Sequence, residues 1–115
     1  MKYCGSCQCG KVKFEAEGEI DSVVACNCSI CSKRGTLLWF TPLENFKLLT
    51  PDAELSIYTF NKHKIKHHFC KTCGCAPFSK GTNPKGGDMA AINARCLDDF
   101  DVSSIKVHHY NGRDL

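Results

Sequence analysis

Cys7-Gln8-Cys9-Gly10 and Cys70-Lys71-Thr72-Cys73-Gly74 are the stretches whose reading decides how this chain folds. Each presents two cysteines and then a glycine. A glycine in that place takes the positive φ that turns the backbone around a metal and aims N–H groups at sulfur. This is the shape of a zinc knuckle. Two knuckles supply the four thiolates of a closed tetrahedral site. Cys7, Cys9, Cys70 and Cys73 are therefore expected to hold a structural zinc that clamps the N-terminal strand to the middle of the chain. Thiolate spacing alone also admits iron, and the knuckles favour zinc.

Working outward, the chain has 115 residues, which fits one domain over 1–115, and ten of them are cysteine. Nine fall in three triplets: Cys4, Cys7 and Cys9; Cys26, Cys28 and Cys31; Cys70, Cys73 and Cys75. Cys96 stands alone. The N-terminus carries no apolar signal segment, so the expected compartment is the reducing cytoplasm. Clustered cysteines there are metal ligands or redox groups rather than disulfides. No apolar run approaches the ~20 residues of a membrane span, and no membrane association is expected.

The middle triplet, Cys26-Asn27-Cys28-Ser29-Ile30-Cys31, is followed by Ser32 rather than glycine. It offers three thiolates with no matching partner nearby in sequence. Three protein ligands and an open position mark a catalytic zinc. Closure by Cys75, Cys96 or Cys4 would instead make the site structural, and spacing does not choose between the two.

Between the triplets the pattern is that of a mainly β protein of short strands. Val12, Phe14 and Ala16 alternate with charged residues. Further strands are expected at Val23–Cys28, Leu37–Thr41, Phe46–Leu49, Leu55–Phe60, Ile65–Phe69, Met89–Ala94 and Ile105–Tyr110. Asn61–Lys64 should turn, Asn83–Gly87 should loop, and short helical turns are expected after Ser29 and near Leu97–Phe100. Trp39, Phe40, Phe46, Phe60, Phe69 and Phe78 are most simply the core, and some could wall a pocket over the second zinc. A core this small gains folding energy from bound metal.

The formal net charge is +3. Seven thiolates and two zinc ions together contribute about −3, which brings the loaded protein close to neutral. Nucleic-acid binding is therefore not expected on electrostatic grounds. Lys62, His63, Lys64, Lys66, His67 and His68 suggest a basic, solvated hairpin. Cys96 is expected to be a small buried hydrophobe. Cys4 and Cys75 can line a site, pair on oxidation or do neither.

An open three-thiolate zinc binds an incoming thiol and holds it deprotonated, since coordination removes the proton of a thiol that otherwise titrates near ~8.5. Such a thiolate can attack an aldehyde carbonyl. Lys33 and Arg34, next to Cys31, can attract the carboxylates of a small acidic thiol, or simply face solvent.

Gly5-Ser-Cys-Gln-Cys-Gly-Lys-Val-Lys-Phe14, Cys26-Asn-Cys-Ser-Ile-Cys-Ser-Lys-Arg-Gly35, Phe69-Cys-Lys-Thr-Cys-Gly74 and Asn93-Ala-Arg-Cys-Leu-Asp98 resemble the glutathione-dependent formaldehyde-activating enzyme family, which also contains centromere protein V. The resemblance implies an Mss4-like fold of short antiparallel strands. It implies two zinc ions: a structural one on Cys7, Cys9, Cys70 and Cys73, and a catalytic-type one on Cys26, Cys28 and Cys31. It further implies a carbon–sulfur lyase that joins a small thiol such as glutathione to a small aldehyde, as in S-(hydroxymethyl)glutathione synthase. Two competing expectations remain: a zinc-stabilised module without catalysis that recognises protein or nucleic acid through the basic hairpin, and a metal-handling or redox protein using Cys4, Cys75 and Cys96.

Overall fold

The computed structural model describes residues 1–60, 65–82 and 86–114. The turn expected at 61–64 lies outside them, as do residues 83–85 of the expected loop.

In chain order the strands are β1 (Lys2–Ser6), β2 (Lys13–Glu17), β3 (Ser22–Cys26), β4 (Leu38–Pro42), β5 (Phe46–Leu48), β6 (Leu55–Tyr58), β7 (Lys66–Cys70), β8 (Phe78–Thr82), β9 (Asp88–Asn93) and β10 (Lys106–Tyr110). One helical turn, α1 (Cys31–Arg34), follows β3, and short 3-10 turns occupy several connections. β1, β2 and β5 form a three-stranded antiparallel sheet. The other strands form a seven-stranded sheet in the order β10-β3-β4-β9-β8-β7-β6. Its pairs are antiparallel except β10 with β3, which run parallel. The fold is mainly β, as the alternation and the turn residues suggest.

β2 shows why the sheets stack. Phe14 and Ala16 point inward with almost no exposure while Lys13 and Glu17 face water. They meet Val23, Trp39, Ala90 and Ile92 from the large sheet, and Leu97 from the segment after β9. Phe14 stacks on Phe46 with centroids 5.6 Å apart, and Phe46 meets Phe78 at 4.6 Å. Burying a phenylalanine this fully contributes about 1.5–3 kcal/mol. A second cluster, Cys7, Val12, Leu55, Cys70 and Phe78, lies at the end of the core. Cysteines are thus part of the packing.

Two strands carry no alternation signal. β1 (Lys-Tyr-Cys-Gly-Ser) and β8 (Phe-Ser-Lys-Gly-Thr) are poor in β-branched residues. β1 is held by its register with β2, from Lys2 opposite Glu17 to Ser6 opposite Lys13. β8 lies between β7 and β9 and bonds to both. Neighbouring strands supply what propensity does not.

Three expectations from sequence change. Phe40 is not core: it alternates with Trp39 onto the other face of β4 and is 47% exposed. His67 and His68 do not belong to a solvated hairpin, because both are buried on β7. His68 stacks on Phe78 at 4.7 Å, and His67 stacks on Phe60 at 5.4 Å. The helical turn expected near Leu97–Phe100 forms earlier, as a 3-10 turn at Ala94–Cys96 begun by the Asn93 side chain accepting from the Arg95 N–H. Among the described residues no helix is long and apolar enough to cross a membrane.

Candidate metal centres

The first centre is built by two turns. Between β1 and β2, the Cys7 N–H donates to Val12 O at 3.0 Å, and Gly10 turns the chain at φ 82° with its N–H on Cys7 O. After β7, the Cys70 N–H donates to Cys75 O at 2.9 Å, and Gly74 sits at φ 80° with its N–H on Cys70 O at 3.0 Å. Both knuckle glycines take the positive φ their motifs require. The Sγ atoms of Cys7, Cys9, Cys70 and Cys73 all lie within 4.8 Å of one another. Cys9 Sγ is 3.6 Å from both Cys7 Sγ and Cys70 Sγ. A tetrahedron with Zn–S bonds of about 2.3 Å has S–S edges of about 3.8 Å. The Val12 and Thr72 N–H groups point at the Cys7 and Cys70 sulfurs, each at 3.4 Å. Cys7 and Cys70 are buried, Cys73 is half-buried and Cys9 is exposed.

Four thiols this close do not ionise alike. The Lys11 N–H pulls Cys9 down, but burial and the thiols of Cys7, Cys70 and Cys73 push it up to about 11. The N–H groups of Cys75 and Cys9 pull Cys73 down to about 6, against burial. A divalent cation removes this conflict, because each ligand then binds as thiolate. Donor set, spacing and N–H bonds all fit zinc.

The second centre forms where β3 gives way to α1. Cys26 ends β3, Cys28 lies in the turn and Cys31 begins α1. Gly35 closes that helical turn at φ 69°, its N–H donating to Cys31 O at 2.9 Å. The three Sγ atoms lie within 4.8 Å of one another and are half-buried. The Cys28 N–H points at Cys26 Sγ at 3.4 Å, and the Cys31 N–H at Cys28 Sγ at 3.5 Å. Burial and the neighbouring Cys28 push Cys31 up to about 12, against a hydrogen bond from Thr36. Burial acts the same way on Cys28, but the Cys31 N–H and the adjacent thiols outweigh it and lower that group.

Among the described residues no fourth His, Cys, Asp or Glu completes this cluster. The three cysteines considered from sequence for its closure lie elsewhere. Cys75 is half-buried with the Gln8 N–H and the Cys73 thiol as its neighbours. Cys96 is half-buried, pushed up to about 11 by burial and then by the charges of Cys75, Cys7 and Cys73. Cys4 is exposed, on the opposite side of β1 from Tyr3 and Gly5. The sequence grouped seven cysteines into a four and a three, and the structure brings together those two sets.

The chain matches the family model described as "Glutathione-dependent formaldehyde-activating enzyme" over residues 2–113. It belongs to that family. A crystal structure of a Rhodobacter sphaeroides protein is similar to it, with a TM-score of 0.78 and 25% sequence identity over 94% of this chain and 100% of that one.

Around the second cluster, Lys33 and Arg34, which the sequence places next to Cys31, are joined by residues the sequence did not single out for this site. Lys33 and Arg34 are exposed on α1, and the Arg34 charge reaches His67 on β7. Burial, then Arg34 and His68, hold His67 below the usual histidine range, so it is neutral at pH 7. Thr36, Asn27 and residues 110–113 also border the cluster. Asn27 and residues 110–113 carry no motif for this role, because they meet across more than eighty residues of sequence.

Proposed function

We propose that this protein is a zinc-dependent carbon–sulfur lyase-type enzyme acting on adducts of a small thiol with a small aldehyde. The observation that carries this reading is the three-thiol cluster of Cys26, Cys28 and Cys31, separate from the four-thiol cluster and with no fourth ligand among the described residues. The family description supplies the substrate class, glutathione and formaldehyde.

In this reading Cys7, Cys9, Cys70 and Cys73 hold a structural zinc, and Cys26, Cys28 and Cys31 hold a second one. When bound there, zinc lowers the pKa of an incoming thiol and keeps it as the thiolate. The N–H groups of Cys28 and Cys31 fix the ligand sulfurs by hydrogen bonds. Arg34 and Lys33, exposed beside the site, attract the carboxylates of an acidic thiol. The substrate sulfur bonds to the aldehyde carbon, and the thiol proton ends on the aldehyde oxygen. The product is an S-hydroxymethyl thioether, and the reverse reaction releases both partners.

Metal analysis and exchange spectroscopy test the proposal together. Protein purified without added metal should contain about two zincs per chain. It should also speed the exchange between glutathione plus formaldehyde and their adduct, followed by NMR. Cys28→Ser should abolish that acceleration and keep the fold. Two zincs with no acceleration for any thiol–aldehyde pair would reject the enzyme reading in favour of a binding module.

A further inference from the structure

The end of the chain returns to the second cluster. β10 runs parallel to β3 with Tyr110 beside Cys26, so the backbone leaves the sheet next to a ligand. Asn27, which stands between Cys26 and Cys28, fastens it there. The Asn27 N–H donates to Tyr110 O at 3.1 Å. Its Nδ2 donates to Asn111 Oδ1 at 2.9 Å, and its Oδ1 accepts from the Arg113 N–H at 3.0 Å. One residue of the ligand loop thus holds Tyr110, Asn111 and Arg113.

Gly112 lies inside this clasp. A Cβ on it would stand 2.6 Å from Cys26 Sγ, 3.3 Å from Cys28 Cβ and 3.5 Å from Tyr110 Cε2. Gly112 is not among the glycines with positive φ, so its backbone does not require glycine. The requirement comes from the ligand loop, chiefly the Cys26 sulfur and then Cys28 Cβ. Ordinary contacts are about 3.5–4.0 Å, so backbone without a side chain is what fits against Cys26.

We propose that the C-terminal segment Tyr110–Arg113 is a wall of the second metal site, with Gly112 and Asn27 as positioning residues. Gly112 sets where Cys26 Sγ points and covers that flank, and Asn27 keeps the segment in place. An incoming ligand then approaches from the flank away from Gly112. This rests on reading Cys26, Cys28 and Cys31 as a metal site.

The test uses the full chain loaded with cobalt(II), whose thiolate charge-transfer and d–d bands report ligand geometry. Gly112→Ala and Asn27→Ala should each shift the bands of the second site. They should weaken its metal affinity about 10–100-fold in competition with a chromophoric chelator. The four-cysteine site should keep its bands and affinity. If Gly112→Ala does not fold, Asn27→Ala, at an exposed position, decides the same question. Wild-type bands and affinity in the folded variants would overturn the proposal while leaving the metal reading intact. A wild-type chain that binds only one cobalt would overturn the metal reading, and this inference with it.

Discussion

Gly5→Ala probes how the N-terminal strand is seated over the core. The added Cβ would stand 2.4 Å from Phe14 Cζ and 2.7 Å from the Cys96 carbonyl oxygen. Normal contact begins near 3.5 Å, so each overlap is about 1 Å. Neither neighbour yields cheaply. Phe14 is fully buried between Phe46 and Phe78, and the Cys96 oxygen is backbone. β1 must lift from β2, although Gly5 lies opposite Phe14 in the ladder and bridges to Leu97. Overpacking of this kind costs about 1–3 kcal/mol. Gly5 has no positive φ, so without the clash the same change would stabilise by about 0.4–1 kcal/mol through the unfolded chain. The two explanations therefore predict opposite signs. The assay is urea unfolding of the metal-loaded protein, followed by Trp39 fluorescence. At about 3–6 °C per kcal/mol, the melting temperature should also fall by roughly 5–15 °C. Phe14→Leu should partly relieve the clash, so the double mutant should lose less than the sum of the single mutants. A midpoint at or above wild type, or additivity within about 0.5 kcal/mol, would refute the packing argument.

The two metal centres should respond differently to cysteine loss. Cys70→Ser, at a fully buried position, should release one zinc and unfold the domain, read by elemental analysis and circular dichroism. A folded Cys70→Ser protein with both metals would contradict the structural role of that centre. Chelator should remove zinc in two phases. The half-buried three-cysteine site should empty first, and the site holding buried Cys7 and Cys70 second. A single phase for both ions would count against two distinct environments. Acid should destabilise the protein partly through His67. Burial, Arg34 and His68 lower its folded pKa, so the unfolded chain binds the proton more readily. Its contribution is fully present above the unfolded pKa of about 6.5 and is lost as pH falls below that value. His67→Phe should flatten the loss of stability between pH 7 and pH 5 in urea titrations. An unchanged slope would remove His67 from the account.

What the sequence determined by itself is local. Gly10 and Gly74 are legible because a positive φ after a Cys-x-Cys or Cys-x-x-Cys turn is a requirement of the backbone at that spot. Their shared pattern groups Cys7 and Cys9 with Cys70 and Cys73, and leaves Cys26, Cys28 and Cys31 as a separate set. The apolar alternation of β2 is equally local, and so is the apolar run at Leu37–Thr41. What only the tertiary structure decided involves residues distant in sequence. Strand β8 exists because β7 and β9 bond to it from both sides. β10 lies parallel to β3, which no hairpin rule provides. His67 and His68 look basic and solvated in the sequence, and burial against Phe60 and Phe78 makes them neutral core residues. Gly5 and Gly112 look like ordinary glycines until Phe14 and Cys26 are brought against them. Backbone conformation is written in neighbouring residues, whereas close approach depends on which distant side chain arrives.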